Sequence, residues 1–225
     1  MIKGIVLDYN GTMYFDGDLH NIAWKAIYEE LAGTSKGFDE FLKTNNCSTT
    51  ISEVKEICKR IGKDLNEEEI LYFSDKKEII YRNLAKEQHR DKLSPGCEEA
   101  MVHFLEKGLK VTIYTASMKE NVDFYFENTK LDRWFEKENI IYDEKDVQGK
   151  KEIYKKVPSI FGIPMDECIV FEDQDRSIKE GIKAGFKKFI RINSSNLPPI
   201  KEKEVIMDIK DFTELDYSKF DELLL

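Results

Sequence analysis

Four groups of side chains in this 225-residue chain have the types and spacing to do chemistry on an anionic ligand. Asp8 ends the apolar run Ile5-Val6-Leu7, and Asn10, Gly11 and Thr12 follow directly. A carboxylate in that position can ligate a cation or attack a phosphorus atom. Thr115, Ala116 and Ser117 end a second apolar run that starts at Val111. The Thr115 hydroxyl, with the Ala116–Ser117 region, can donate hydrogen bonds to phosphate oxygens. Lys150 or its neighbour Lys151 can neutralise a phosphate and the carboxylate that attacks it. Glu172 and Asp173 end a fourth-quarter run, Cys168-Ile-Val-Phe171. Asp8 and Asp173 can share one Mg2+, a hard cation that prefers carboxylate and water oxygens. Phosphoryl transfer is mostly positioning and charge stabilisation, which is what these groups offer together.

The elements that must position these residues are legible in the pattern. Short β-branched apolar runs read as buried strands, at the first residues up to Asp8 and then at 111–115, 140–142, 168–171, 188–192 and 205–209. From Ser94 onward these alternate with helical patterns, which implies a parallel sheet covered on both faces. The fold class expected is therefore α/β, a doubly wound, Rossmann-like sheet. Ligands bind such sheets at the carboxyl ends of the strands. Between about Leu19 and Glu87 the periodicity is helical throughout. Ala23, Ala26, Ile27 and Leu31 share one face, residues 38–42 form a short piece, and residues 51–61 end at Gly62. Asn66 caps a helix whose first turn is Glu67-Glu68-Glu69, and that helix is expected to break near Ser74-Asp75. Tyr14 to Asp18 reads as a small flap. About 70 helical residues are too many for a simple crossover. We therefore expect a core of residues 1–16 and 90–225 and an inserted helical cap of residues 17–89.

Composition narrows the partners. Hydrophobic residues make up 41% of the chain, enough for a packed core. A net charge of -9 argues against sequence-independent binding of nucleic acid. No apolar run approaches the length of a membrane span, and the first residues are strand-like rather than leader-like. Cys47, Cys58, Cys97 and Cys168 form no C-x-x-C pair and do not cluster in sequence with His20, His89 or His103, so neither a disulfide framework nor zinc is expected. The expectation is a cytoplasmic protein, a monomer or weak dimer, whose partner is a small phosphorylated metabolite.

These residues also match a family. The chain resembles the haloacid dehalogenase-like superfamily, in its phosphatase and β-phosphoglucomutase-like branch. Leu7-Asp-Tyr-Asn-Gly-Thr12 is similar to its first motif, Val111 to Ser117 to its second, Gly149-Lys150 to its lysine motif, and Ile169 to Ser177, running on to Ala184-Gly185, to its fourth. His20-Asn-Ile-Ala-Trp-Lys25 resembles a signature of the first cap helix in β-phosphoglucomutases. The resemblance implies that Asp8 is the nucleophile. It implies that Asp8, Asp173 and the backbone carbonyl of Asn10 hold Mg2+ with Glu172 in support, and that Thr115, Ala116, Ser117 and Lys150 hold phosphate. His20 is either a packing residue of the cap or a substrate contact, and Asp175 either a second acid near the metal or a surface carboxylate.

Two departures from the family pattern matter. Asn10 stands where the family has a second aspartate that acts as general acid and base. Three readings follow: a phosphatase that is slow or recruits Asp16, Asp18 or His20; a carbon–phosphorus or carbon–halogen hydrolase; or a phosphate-binding regulatory protein without turnover. The carbon–phosphorus route needs a cap lysine such as Lys25 or Lys36. The carbon–halogen route needs no Mg2+, which the Glu172-Asp173 pair argues against. The second departure is that residues 45–50 hold no arginine for a distal sugar phosphate.

Overall fold

The computed structural model describes residues 1–47, 49–143 and 149–224. Its centre is β1 (Gly4–Asp8), whose residues are all buried. A strand apolar on both faces must be covered on both faces, which a parallel sheet with crossover helices achieves. The other strands are β2 (Lys110–Thr115), β3 (Ile141–Tyr142), β4 (Cys168–Glu172), β5 (Lys188–Ile192) and β6 (Val205–Ile209), in the spatial order β3-β2-β1-β4-β5-β6. Every pairing is parallel. Alternate side chains feed two separate cores. Ile5, Leu7, Ile113, Phe171 and Ile190 lie in one, and Val6, Tyr114, Val170 and Phe189 in the other. The chain winds outward from β1 in one direction through β3, then returns to its other side with β4. That reversal opens a crevice at the carboxyl ends of β1, β2 and β4.

Register then decides what meets in the crevice. Asp8 pairs with Tyr114, and Leu7 with Phe171. Thr115 and Glu172 therefore end their strands on either side of Asp8. The doubly wound expectation holds, with all six expected strands present.

Four helices follow β1: α1 (Gly17–Ala32), α2 (Phe38–Thr44), α3 (Thr50–Ile61) and α4 (Glu67–Glu87). Among the described residues 17–87 there is no strand. Trp24, Ile27, Leu31, Phe38, Phe41, Val54, Ile57 and Ile70 form an apolar cluster of their own. Leu19, Ala23, Tyr81 and Ala85, at the near ends of α1 and α4, join the sheet-side core instead. Asn66 caps α4 as the sequence indicates, in a reciprocal box with Glu69.

Two expectations need correction. The break near Ser74-Asp75 is absent, and α4 runs unbroken. Its buried residues Ile70, Ser74, Lys77, Glu78, Tyr81 and Ala85 keep helical spacing, so Ser74 faces inward as a small residue of a continuous stripe. The segment read as a flap is packed rather than free. Tyr14 and Asp16 are buried, Asn10 bridges to Tyr14, and the Tyr14 hydroxyl donates to the Arg90 carbonyl at 2.5 Å.

The remaining helices α5 (Cys97–Glu106), α6 (Lys119–Thr129), α7 (Gly149–Phe161), α8 (Asp175–Ala184) and α9 (Tyr217–Glu222) cover the sheet. No helix among the described residues is long and apolar enough to cross a membrane. Gly96, ahead of α5, has φ +75°, and a Cβ there would meet the Thr213 nitrogen at 2.6 Å and the Phe212 carbonyl carbon at 2.7 Å. Gly62 has φ +69° but open space around it. Gly96→Ala is expected to cost about 2 kcal/mol or more, because backbone cannot yield as a side chain can. Gly62→Ala should cost only the left-handed strain, about 1 kcal/mol. Urea unfolding of the two variants checks the ranking.

Candidate active site

At the strand ends Asp8, Glu172 and Asp173 meet the Lys150 ammonium. Asp8, Glu172 and Asp173 each bring an oxygen within 4.8 Å of the others. At an effective dielectric constant of about 20, two such charges repel by about 3.5 kcal/mol. Lys150 offsets this. Its ammonium lies 2.9 Å from Asp8 Oδ2, donates to both Glu172 oxygens at 2.9 and 2.8 Å, and its side chain is only 11% exposed. Lys151 is exposed to solvent, so the geometry distinguishes the two lysines. Desolvation works against the Lys150 charge, but Asp8 and Glu172 outweigh it and hold the ammonium firmly protonated.

The two aspartates are under the same stress. Burial, with the neighbouring Glu172 charge, pushes the Asp8 carboxyl above the ordinary range despite Lys150. Burial and the charges of Glu172 and Asp8 push Asp173 up as well. Glu172 escapes this, because Lys150 and its hydrogen bonds outweigh its burial and bring it below its usual value. It receives the Tyr114 hydroxyl in a short bond, the Tyr154 hydroxyl at 3.3 Å and the Gln174 amide at 3.0 Å. Asp173 is different: its Oδ1 is buried with no hydrogen-bond partner. An all-oxygen donor set with an orphaned carboxylate oxygen and excess negative charge fits a hard divalent cation. Gly11 makes the close approach possible, since with φ +78° a Cβ there would sit 2.2 Å from Asp173 Oδ2.

A second network surrounds Asn10. Its Oδ1 accepts from Ser117 Oγ at 3.0 Å, the Tyr125 hydroxyl at 3.2 Å and, more weakly, Thr115 Oγ1 at 3.4 Å. Thr115 Oγ1 in turn accepts the Ser117 amide at 3.1 Å, and Ala116 lines the pocket beside them. The Asn10 amide nitrogen lies 3.0 Å from the same Tyr125 hydroxyl and donates to Asp16 Oδ2 at 2.6 Å. That oxygen also takes the Tyr81 hydroxyl at 2.6 Å and faces His20 Nε2 at 3.4 Å. Burial favours the neutral acid, but these partners outweigh it and lower the Asp16 pKa.

His20 is thus brought to Asp16, not to Asp8. Its ring stacks on Tyr81 at 4.1 Å between centroids, and its Nδ1 lies 2.7 Å from Lys77 Nζ. Asp18, weighed as a proton carrier, pairs with Arg90 at 2.8 Å instead. Asp175 pairs with the buried Arg191 at 2.8 Å and stands outside the acidic cluster. Lys25 and Lys36 are exposed.

Sequence reasoning missed several residues of the pocket, a cavity of about 430 Å³ that runs from Asp8 to Trp24, Asn45 and Thr50. Lys77 and Glu78 line it, both buried and 2.8 Å apart. Adjacent charges on a helix ordinarily read as a solvated face. The signal available was that both fall on the stripe of Ile70, Ser74 and Tyr81. Tyr114 was also legible in principle, since a tyrosine inside a buried strand needs a partner for its hydroxyl.

Burial alone would raise the Glu78 pKa, yet Lys77, His20 and a 2.7 Å bond from Asn121 Nδ2 bring it down from 4.5 to about 2. A carboxylate with a depressed folded pKa stabilises above its unfolded pKa and loses that contribution as pH falls through the folded one. Glu78→Gln should therefore cost on the order of 3 kcal/mol near neutrality. The gap to wild type should narrow as pH falls from 4.5 toward about 2, as urea unfolding across that range would show.

A sequence profile of the haloacid dehalogenase-like hydrolases matches residues 12–190. The structure superposes on a haloacid dehalogenase-family hydrolase, family IA, variant 3, from Entamoeba histolytica at 27% identity and TM-score 0.86, covering 99% of each chain. It is also similar to a β-phosphoglucomutase from Clostridium difficile, at 17% identity and TM-score 0.75, over 99% of this chain and 96% of that one. A third match is CbbY from Rhodobacter sphaeroides, solved with phosphate, at 18% identity and TM-score 0.71, over 96% and 97%. The two lower identities speak for the fold, while the profile spans most of the chain, so this protein belongs to the haloacid dehalogenase-like hydrolases.

Proposed function

We propose that the protein is a Mg2+-dependent phosphohydrolase or phosphotransferase that acts on a small phosphorylated metabolite through an aspartyl-phosphate on Asp8. The observation that carries this reading is Lys150, which bridges Asp8 and Glu172 beside the orphaned carboxylate of Asp173. Asp8, Asp173 and the backbone carbonyl of Asn10, with Glu172 behind them, would hold Mg2+, which when bound supplies charge neutralisation to the phosphate and carboxylate oxygens.

The chain's own residues do the rest. An Asp8 oxygen forms the bond to phosphorus as the bond to the leaving oxygen breaks. Lys150 lowers the repulsion between that carboxylate and the phosphate. Thr115, Ala116 and Ser117 hold the transferred group, and water or an acceptor hydroxyl then releases it from Asp8. Residues 17–89 form a cap over the crevice in this reading, with His20 and Lys77 facing the pocket from it, and cap closure excludes water during the attack. The phosphate bound to CbbY and the activity named for the β-phosphoglucomutase support phosphate as the recognised group. Lys77 reaches the pocket, but Glu78 and His20 bind its ammonium, which disfavours a carbon–phosphorus route through an imine.

Hydrolysis of an activated aryl phosphate is expected to require Mg2+, to stop on chelation, and to fall to background in Asp8→Asn. Equal rates in the variant would overturn the mechanism. Mg2+ should also raise the wild-type Tm, with a smaller rise in Asp173→Asn, measured by thermal shift. A second reading, a phosphate-binding protein without turnover, rests on the missing acid at position 10. Tight phosphate binding with no hydrolysis across a broad phosphomonoester panel would favour it.

A further inference from the structure

Resting on that phosphotransfer reading, we propose that Asp16 is a positioning residue that fixes the Asn10 amide as a matched donor–acceptor pair. The pair restricts the enzyme to phosphates on acidic leaving groups, such as acyl and aryl phosphates.

The Asn10 amide can face in only one direction. Asn10 Nδ2 is 2.6 Å from Asp16 Oδ2. The flipped amide would set acceptor against acceptor at that distance, so a carboxylate at 16 admits only one orientation. The same oxygen is held by the Tyr81 hydroxyl at 2.6 Å. The third group is His20 Nε2. His20 Nδ1 faces the Lys77 ammonium, which can only donate, so Nδ1 accepts and Nε2 carries the proton toward Asp16. Donors from three elements therefore converge on one carboxylate oxygen: the loop after β1, helix α1 and helix α4. With its nitrogen donating to Asp16 and, at 3.0 Å, to the Tyr125 hydroxyl, Asn10 must turn Oδ1 to Ser117 and Thr115. Position 10 is thereby organised as an acceptor of hydroxyl hydrogen bonds toward the groups assigned to phosphate.

An ionised carboxyl group at 10 would meet Asp16 with no donor between them. The acid missing from position 10 is thus not a vacancy that one substitution fills. Nothing at position 10 protonates the leaving oxygen when the phosphorus–oxygen bond breaks. A leaving group that departs as a stable anion needs no such proton, whereas an alkoxide does. The pocket therefore selects its substrate by the acidity of the leaving group.

The test is a cycle of Asn10→Asp, Asp16→Asn and the double variant, assayed with Mg2+ on aryl and alkyl phosphates of graded leaving-group acidity, with Tm recorded for each protein. The wild-type rate is expected to fall steeply as the leaving group becomes less acidic. Asn10→Asp alone should keep that steep dependence and lower Tm by several degrees. The double variant exchanges donor and acceptor. It should regain Tm, flatten the dependence and raise the alkyl phosphate rate by about a hundredfold or more. A flat dependence in the wild type would overturn the proposal, and so would Asn10→Asp alone flattening it without loss of Tm. If no protein in the cycle hydrolyses any phosphate, the phosphotransfer reading fails and the substrate claim with it. The Tm cycle then judges the pair alone: additive changes overturn the positioning role, and suppression of the Asn10→Asp loss by Asp16→Asn upholds it.

Discussion

The site depends on one ammonium among buried carboxylates. Lys150 reaches from the first turn of α7 to the ends of β1 and β4 and touches Asp8 and Glu172 together. Its pairing is what lets Glu172 stay charged in a fully buried position. Breaking a buried pair by removing one partner leaves an uncompensated charge, which is far more costly than losing a surface bridge. The remaining excess of negative charge falls on Asp8 and Asp173, and the orphaned oxygen of Asp173 is a donor that the proposed cation would take up. Strand register, the glycine turn at Gly11 and the tyrosines behind Glu172 all serve this cluster.

A second layer of polar order sits above it. Asn10 links the strand end to the helical segment through Asp16, and Asp16 passes the constraint to Tyr81, His20 and Lys77. The chain of contacts continues to Glu78, Asn121 and Arg82, where the Arg82 guanidinium donates to Asn121 Oδ1 at 2.6 Å. Crevice and helices are therefore joined by hydrogen bonds between buried and half-buried groups as well as by apolar packing. Such networks specify one arrangement, because each unpaired member would carry its desolvation cost.

Much of this was legible in the sequence, for physical reasons. Apolar β-branched runs that end in acids or hydroxyls announce buried strands with polar ends, so the places of Asp8, Thr115 and Glu172-Asp173 at strand ends are legible in the sequence. Gly62 and Asn66 marked helix ends because their local chemistry acts alone. What failed was local inference about long-range partners. Ser74-Asp75 read as a break, since serine and aspartate are weak helix formers, but tertiary packing of Ser74 overrides propensity. Lys77 and Glu78 were passed over because their partners, His20, Thr50 and Asn121, are distant in sequence. Asp16 was named among possible proton carriers, yet its actual partner, the amide of Asn10, depends on the path of the turn between them.

In the proposed reaction Asp8 takes the phosphoryl group. The most direct measurement is peptide mapping by mass spectrometry after incubation with Mg2+ and a small acyl phosphate, quenched in acid. The account predicts one added phosphoryl group on the peptide containing Asp8, absent in Asp8→Asn and absent without metal. A phosphoryl group on any other residue, or its persistence in Asp8→Asn, would contradict it.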